Sequence, residues 1–197
     1  MTIGLYFGSF NPIHNGHLII ANHIINSTDL DQVWFVVSPQ NPFKSSHSLL
    51  NEYHRLHMIK SAIDGENKLK ANSVEFKMPK PSYTIDTLAF LKEKHPGHDF
   101  SVIMGSDSFK NISKWKNYEV ILKNHCLYIY TRPGFDIERI NDANLVLLDA
   151  PLLQISSTHI RELIRLQKSI RFLVPDVVKE EIERNGYYQR VLKNKSE

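Results

Sequence analysis

Apolar positions along the chain alternate between two spacings. The run Gly4-Leu5-Tyr6-Phe7 is broken by Gly8 and turned by Asn11-Pro12, after which Leu18, Ala21, Ile24 and Ile25 recur at helical spacing. The opening therefore reads as strand, tight loop and helix. Gln32 to Val37 is a continuous apolar run stopped by Ser38-Pro39, the pattern of a strand buried on both faces. A polar loop, Gln40 to Ser48, leads to a predicted helix over residues 51–63 with Leu56, Ile59 and Ile63 on one side. Val74-Glu75-Phe76 reads as a short strand, and Pro79-Lys80-Pro81 separates it from a helix over 83–94 carrying Ile85, Leu88 and Leu91. A strand over 100–104 ends at Gly105, followed by helical material over 115–122, strands over 127–131 and 145–148, and final helices over 158–166 and 176–185.

Strands alternating with helices imply right-handed crossovers and a mainly parallel sheet. The expected fold is α/β: a Rossmann-like, doubly wound sheet with helices on both faces and a small C-terminal helical part. Such folds bind ligands at the carboxyl ends of their strands, where the strand order reverses, and the loops after Phe7, Val37 and Met104 all follow strand ends. With no repeat, low-complexity stretch or long linker, the chain reads as one domain over 1–197, with 156–197 as a C-terminal helical segment and Lys193 to Glu197 frayed.

Composition narrows the partners. A chain of 197 residues buries roughly 70% of its unfolded surface and needs no disulfide or metal staple. Lys and Arg number 24 against 21 Asp and Glu, too small a margin for non-specific nucleic-acid binding but compatible with a local phosphate pocket. Anionic small molecules are the better match. Cys126 stands alone, the N-terminus lacks the basic region and cleavage site of a secretory signal, and no apolar run approaches the roughly 20 residues of a membrane span. A cytoplasmic protein is expected.

Two stretches carry chemistry. In Gly8-Ser9-Phe10-Asn11-Pro12-Ile13-His14-Asn15-Gly16-His17, the two histidines lie three residues apart on one face of the first helical turn. There the unpaired backbone N–H groups and the positive dipole end offer a phosphate site. An exposed polar helix start is the plainer reading. A metal pair is a third, although no Cys, Asp or Glu stands in the loop to complete a coordination sphere. Near the other end, Ile155-Ser156-Ser157-Thr158-His159-Ile160-Arg161 can cap a helix, with Arg161 one turn beyond Ser157 and Thr158 on the same face. Alone it would describe a capped surface helix; paired with the opening loop, it describes converging donors for one anion.

The opening loop resembles the Gly-x-Phe-x-Pro-x-His-x-Gly-His signature of the nucleotidylyltransferase superfamily, and the late stretch resembles the Ile-Ser-Ser-Thr-x-Ile-Arg motif with which that superfamily grips the β- and γ-phosphates of ATP. Three further stretches narrow the resemblance to bacterial nicotinate-nucleotide adenylyltransferases: Pro81 to Leu88, the Gly105-Ser106-Asp107 turn with Trp115 beyond it, and Thr131-Arg132-Pro133-Gly134. The tail from Val174 to Tyr188 fits as well, so the likeness runs nearly end to end.

The resemblance implies transfer of AMP from ATP to nicotinate mononucleotide, with Mg²⁺ held mainly by the ATP phosphates and no metal site of the protein's own. It makes His14 and His17 catalytic, and assigns ATP to Gly8, Ser9, Phe10, Gly16, Lys44, Gly105, Asp107, Ile155, Ser156, Ser157, Thr158 and Arg161. The mononucleotide falls to Tyr83, Thr84, Trp115, Lys116 and Arg132, with Trp115 stacking on the pyridine ring and backbone amides near Thr84 and Lys116 receiving its carboxylate.

Two positions depart from the pattern. Asn11 stands where many members have Asp, and Lys116 follows the Trp where an aromatic is frequent. An adenylyltransferase for nicotinamide mononucleotide or phosphopantetheine, and a non-catalytic nucleotide sensor, stay open as alternatives. The remaining histidines, His54 and His57 with His47 nearby, His95 and His98 beside Pro96-Gly97, and His23, read as surface or helix-end residues.

Overall fold

The computed structural model describes residues 1–40, 49–132, 134–135, 137, 143–151 and 153–189. Six strands form one sheet: β1 (Thr2–Gly8), β2 (Gln32–Val37), β3 (Leu69–Asn72), β4 (Asp99–Gly105), β5 (Leu127–Tyr130) and β6 (Leu145–Leu148). Their order is β3-β2-β1-β4-β5-β6, and every pairing is parallel. The expected α/β, doubly wound sheet is therefore present.

Side chains alternate across the sheet as the period of two requires. Tyr6, Val33, Phe35, Val37 and Ile103 join one core, which also receives Ile24 of helix α1 (Asn15–Ser27), Ile59 of α2 (Glu52–Ala62), Ile160 of α6 (Ser157–Arg165) and Ile182 of α7 (Asp176–Asn185). Ile3, Leu5, Val36, Val102 and Met104 face the other core, against Leu88 and Leu91 of α3 (Thr84–Lys94), Phe109 of α4 (Ser106–Phe109) and Ile121 of α5 (Tyr118–Asn124). Burial on both faces is what continuous apolar strands demand.

The strand order reverses at β1, which has β2 on one side and β4 on the other. With Tyr6 registered against Ile103, the ends Gly8 and Gly105 open side by side at the switch point.

Three sequence expectations change. Val74 to Phe76 is not a strand but part of a 3₁₀ turn, Val74–Lys77; the edge strand lies earlier, at Leu69–Asn72. Ser106–Phe109 is a short helix rather than a simple turn. Trp115 stands before α5, not within it, because a 3₁₀ turn ends at Lys114 and Asn117 takes a left-handed conformation (φ 51°) that starts the helix afresh. Lys193 to Glu197, expected to fray, lie outside the described residues. Among the described residues no helix is long and apolar enough to cross a membrane.

Candidate active site

The loop after β1 is held from inside. Phe10 sits at φ 44°, a region non-glycine residues rarely adopt, with its ring folded back over Gly8. A Cβ at Gly8 would lie 2.8 Å from that ring, so the glycine and the phenylalanine two residues on are one device. Behind the loop, the fully buried Arg55 donates to the carbonyls of Ser9, Ser38 (2.9 Å), Pro39 (3.3 Å) and Leu50 (2.8 Å). One guanidinium thereby ties the β1–α1 loop to the loop after β2. Burial lowers its pKa to about 10, which still leaves it a cation at neutral pH. Asn11 adds a second tie by accepting from the Leu50 N–H at 3.1 Å.

His14 caps α1. Its Nδ1 accepts the His17 backbone N–H at 3.3 Å, which in a neutral ring leaves the proton on Nε2 as a donor. Burial, followed by the nearby Arg132 cation, lowers the His14 pKa to about 4, so the ring is neutral at physiological pH. The His14 and His17 rings stack with centroids 3.6 Å apart and planes 20° apart. The expected shared face is thus realised as a parallel pair at the mouth of the helix.

The late signature closes on this loop. Ser156 caps α6 by accepting the His159 N–H at 3.2 Å; Ser157 Oγ donates to the Pro12 carbonyl at 2.9 Å. Arg161 donates to the Asn11 carbonyl at 2.8 Å and to Thr158 Oγ1 at 3.3 Å. Residues some 150 positions apart in the chain therefore line one cleft of about 330 Å³. Gly8, Ser9, Phe10, His14, His17, Asp107, Arg132, Ile155, Ser156, Ser157, Thr158 and Arg161 all reach it. Gly16 lies behind, packed on His14 and Ile155, and Lys44 lies outside the described residues.

A polar bridge spans the switch point. Arg132 faces Asp107 Oδ1 at 3.4 Å and donates to the Tyr130 hydroxyl at 3.2 Å, which pairs with the buried Tyr6 hydroxyl at 3.2 Å. Burial and the neighbouring Tyr130 push the Tyr6 pKa well up, keeping it a neutral phenol. Gly105 permits this crowding, since a Cβ there would strike Asp107 and lie 3.1 Å from Arg132 Nε.

Beyond the bridge a smaller cavity of about 160 Å³ shares Tyr6, Phe7, Gly8, Ser108 and Tyr130 with the cleft. Tyr83, Thr84, Trp115, Lys116 and Gly105 line it. No side chain caps α3 at Tyr83, and Tyr83 and Thr84 line the cavity, so an uncapped helix start stands at its wall. On the cavity wall Glu75 is buried and accepts from Ser82 Oγ (2.7 Å) and Thr87 Oγ1 (2.9 Å); burial raises its pKa. Arg132, assigned by resemblance to the mononucleotide, lines the larger cleft, while Gly105, assigned to ATP, lines the smaller one.

Sequence reasoning did not single out Arg55, Glu75 or the Tyr6–Tyr130 pair. Arg55 did leave a signal: it shares the i, i+3, i+4 stripe of Met58 and Ile59, a charge in the buried face of α2. His54 and His57 are exposed as expected, but His57 meets Glu181 of α7 and His54 meets Tyr187 just beyond it, at 2.9 Å each. Among the described residues no group of three or more His, Cys, Asp or Glu forms a metal cage.

A switch-point cleft lined by two stacked histidines, with a serine-threonine-arginine helix start closing over it, is an arrangement suited to holding a polyphosphate. The profile of the cytidylyltransferase-like family matches residues 5–163. Within that class the chain belongs to the nicotinate-nucleotide adenylyltransferase family. It is 49% identical over 193 residues to the probable nicotinate-nucleotide adenylyltransferase of Flavobacterium psychrophilum, covering 96% of this chain and 100% of that one. It is 50% identical over 189 residues to that of Cytophaga hutchinsonii, covering 95% and 98%. The nicotinic acid mononucleotide adenylyltransferase of Plasmodium falciparum, solved in complex with NaAD, superposes with a TM-score of 0.81 over 95% of this chain and 97% of that one. At 24% identity it shows the shared fold.

Proposed function

We propose that the chain transfers AMP from ATP to nicotinate mononucleotide, releasing pyrophosphate and forming nicotinate adenine dinucleotide, a step toward NAD. The observation that carries the reading is the closure of the Ser157 and Arg161 segment onto the Asn11-Pro12 carbonyls, beside a second cavity that opens onto the same cleft. The larger cleft takes the triphosphate and the smaller one the pyridine end. On this reading the chain works as one domain, with the segment from Ser156 onward completing the ATP site.

The acceptor phosphate attacks the α-phosphorus in line, and the bond to pyrophosphate breaks. No enzyme nucleophile is needed; the protein aligns two anions and neutralises charge as it grows. His14 presents Nε2–H as a neutral donor, and His17, stacked on it, shares the developing α-phosphate charge. Ser156, Thr158 and Arg161 hold the departing end. Arg132, beside Asp107 at the boundary between the two sites, serves the mononucleotide phosphate or the triphosphate. Lys44 belongs by its family position to the ATP phosphates.

Asp107 is the one carboxylate lining the larger cleft among the described residues, a donor set that suits an ion carried on the triphosphate rather than caged by protein. Asp107 would stand nearest a Mg²⁺ carried on the triphosphate, and such an ion would supply charge neutralisation for the leaving pyrophosphate. In the smaller cavity Trp115 offers a flat partner for the pyridine ring, and the open amides of α3 suit its carboxylate. A pyrophosphate-release assay with ATP, Mg²⁺ and parallel acceptors tests the reading. Release is expected with nicotinate mononucleotide and least with phosphopantetheine; binding of ATP without release would point instead to a sensor.

A further inference from the structure

The smaller cavity is lined by one carboxyl group, Glu75, and a second, Asp86, is held against its lining residue Lys116, an unfavourable setting for an acidic ligand unless both are offset. Glu75 is buried under the Ser82 and Thr87 hydroxyls. Asp86 stands in the first turn of α3, two residues beyond Thr84, where its charge would oppose a second carboxylate arriving at the same helix start. Lys116 answers it: Nζ lies 3.0 and 2.8 Å from the two Asp86 oxygens and 5.1 Å over the Tyr83 ring, while the residue itself lines the cavity.

We propose that Lys116 sets the preference for a pyridine carboxylate over a pyridine carboxamide, by cancelling the charge of Asp86 in the first turn of α3. This rests on the adenylyltransferase reading above. The effect is one of charge balance: with Lys116 in place the entering carboxylate meets open amides and a neutral ion pair, and without it the same carboxylate meets Asp86 unopposed. A neutral carboxamide is indifferent to the change. Both side chains are nearly half exposed, at 45% and 42%, so solvent screening limits the effect to about fivefold.

The test is the ratio of kcat/KM for nicotinate mononucleotide to kcat/KM for nicotinamide mononucleotide. In Lys116→Ala the ratio falls about fivefold, through KM rather than kcat. Adding Asp86→Asn returns it to within twofold of the wild type. The loss in Lys116→Ala shrinks as salt is raised to about 0.5 M, where the Debye length is only a few ångströms. An unchanged ratio in Lys116→Ala, a double variant no better than the single one, or a loss indifferent to salt overturns the proposal. A wild-type enzyme that releases no pyrophosphate with either mononucleotide overturns the adenylyltransferase reading itself, and this preference with it.

Discussion

The larger cleft and the smaller cavity share Tyr6, Phe7, Gly8, Ser108 and Tyr130, yet the contacts around them differ in kind. Around the cleft, besides the Arg132–Asp107–Tyr130 bridge, charged groups grip backbone: Arg55 takes carbonyls of Ser9, Ser38, Pro39 and Leu50, and Arg161 takes that of Asn11. Around the cavity, side chains grip side chains, with Glu75 on Ser82 and Thr87 and Lys116 on Asp86. The first arrangement fixes the path of a loop, as in-line chemistry between two anions requires. The second acts mainly between side chains and sets local charge, as a choice between two similar acceptors requires. On the proposed function, chemistry and selectivity are separable, and substitutions on the two sides are expected to have different signatures.

The largest expected effect is on the chemical side. His17→Ala lowers turnover about 10²–10³-fold, as loss of one preorganised charge-stabilising donor does elsewhere. It does so equally with the acid and the amide acceptor, and far-UV circular dichroism and melting temperature stay close to the wild type. An effect that depends on the acceptor would break the separation between cleft and cavity.

Arg55→Met comes next. It leaves several buried carbonyls without a donor and destabilises the fold by about 3 kcal/mol in urea unfolding, while the acid-to-amide ratio of the surviving activity is unchanged.

A smaller effect follows from His14. Its folded pKa of about 4 lies below the ordinary value of 6.5, so below pH 6.5 the unfolded chain takes up a proton that the folded chain refuses. The stability contribution is flat above pH 6.5 and is lost as pH falls toward 4, amounting to about 2 kcal/mol by pH 5. Unfolding titrations of the wild type and His14→Asn across this range check it: the variant lacks this component of the slope.

The fold was legible where pattern and burial agree. β1, β2 and β4 announce themselves as apolar runs because helices cover both their faces. β3 did not, because Leu69-Lys70-Ala71-Asn72 is a short edge strand with no β-branched residue, whereas Val74-Glu75-Phe76 has the composition of a strand but pairs with nothing. The local signatures of the cleft were readable because histidines three apart and serines before an arginine have fixed positions on a helical turn. Their meeting across the molecule is a property of the strand order, which no local pattern encodes. The Tyr6–Tyr130 and Lys116–Asp86 pairs were hidden for the same reason, each joining elements far apart in sequence.

A rapid-quench measurement of pyrophosphate and dinucleotide, on enzyme mixed with ATP and Mg²⁺ in the presence and absence of nicotinate mononucleotide, is the most direct test of adenylyl transfer without an enzyme nucleophile. With the acceptor, pyrophosphate and nicotinate adenine dinucleotide should appear together in equal amounts; without it, no pyrophosphate should form. A burst of one pyrophosphate per active site in the absence of acceptor would contradict direct transfer between the two clefts.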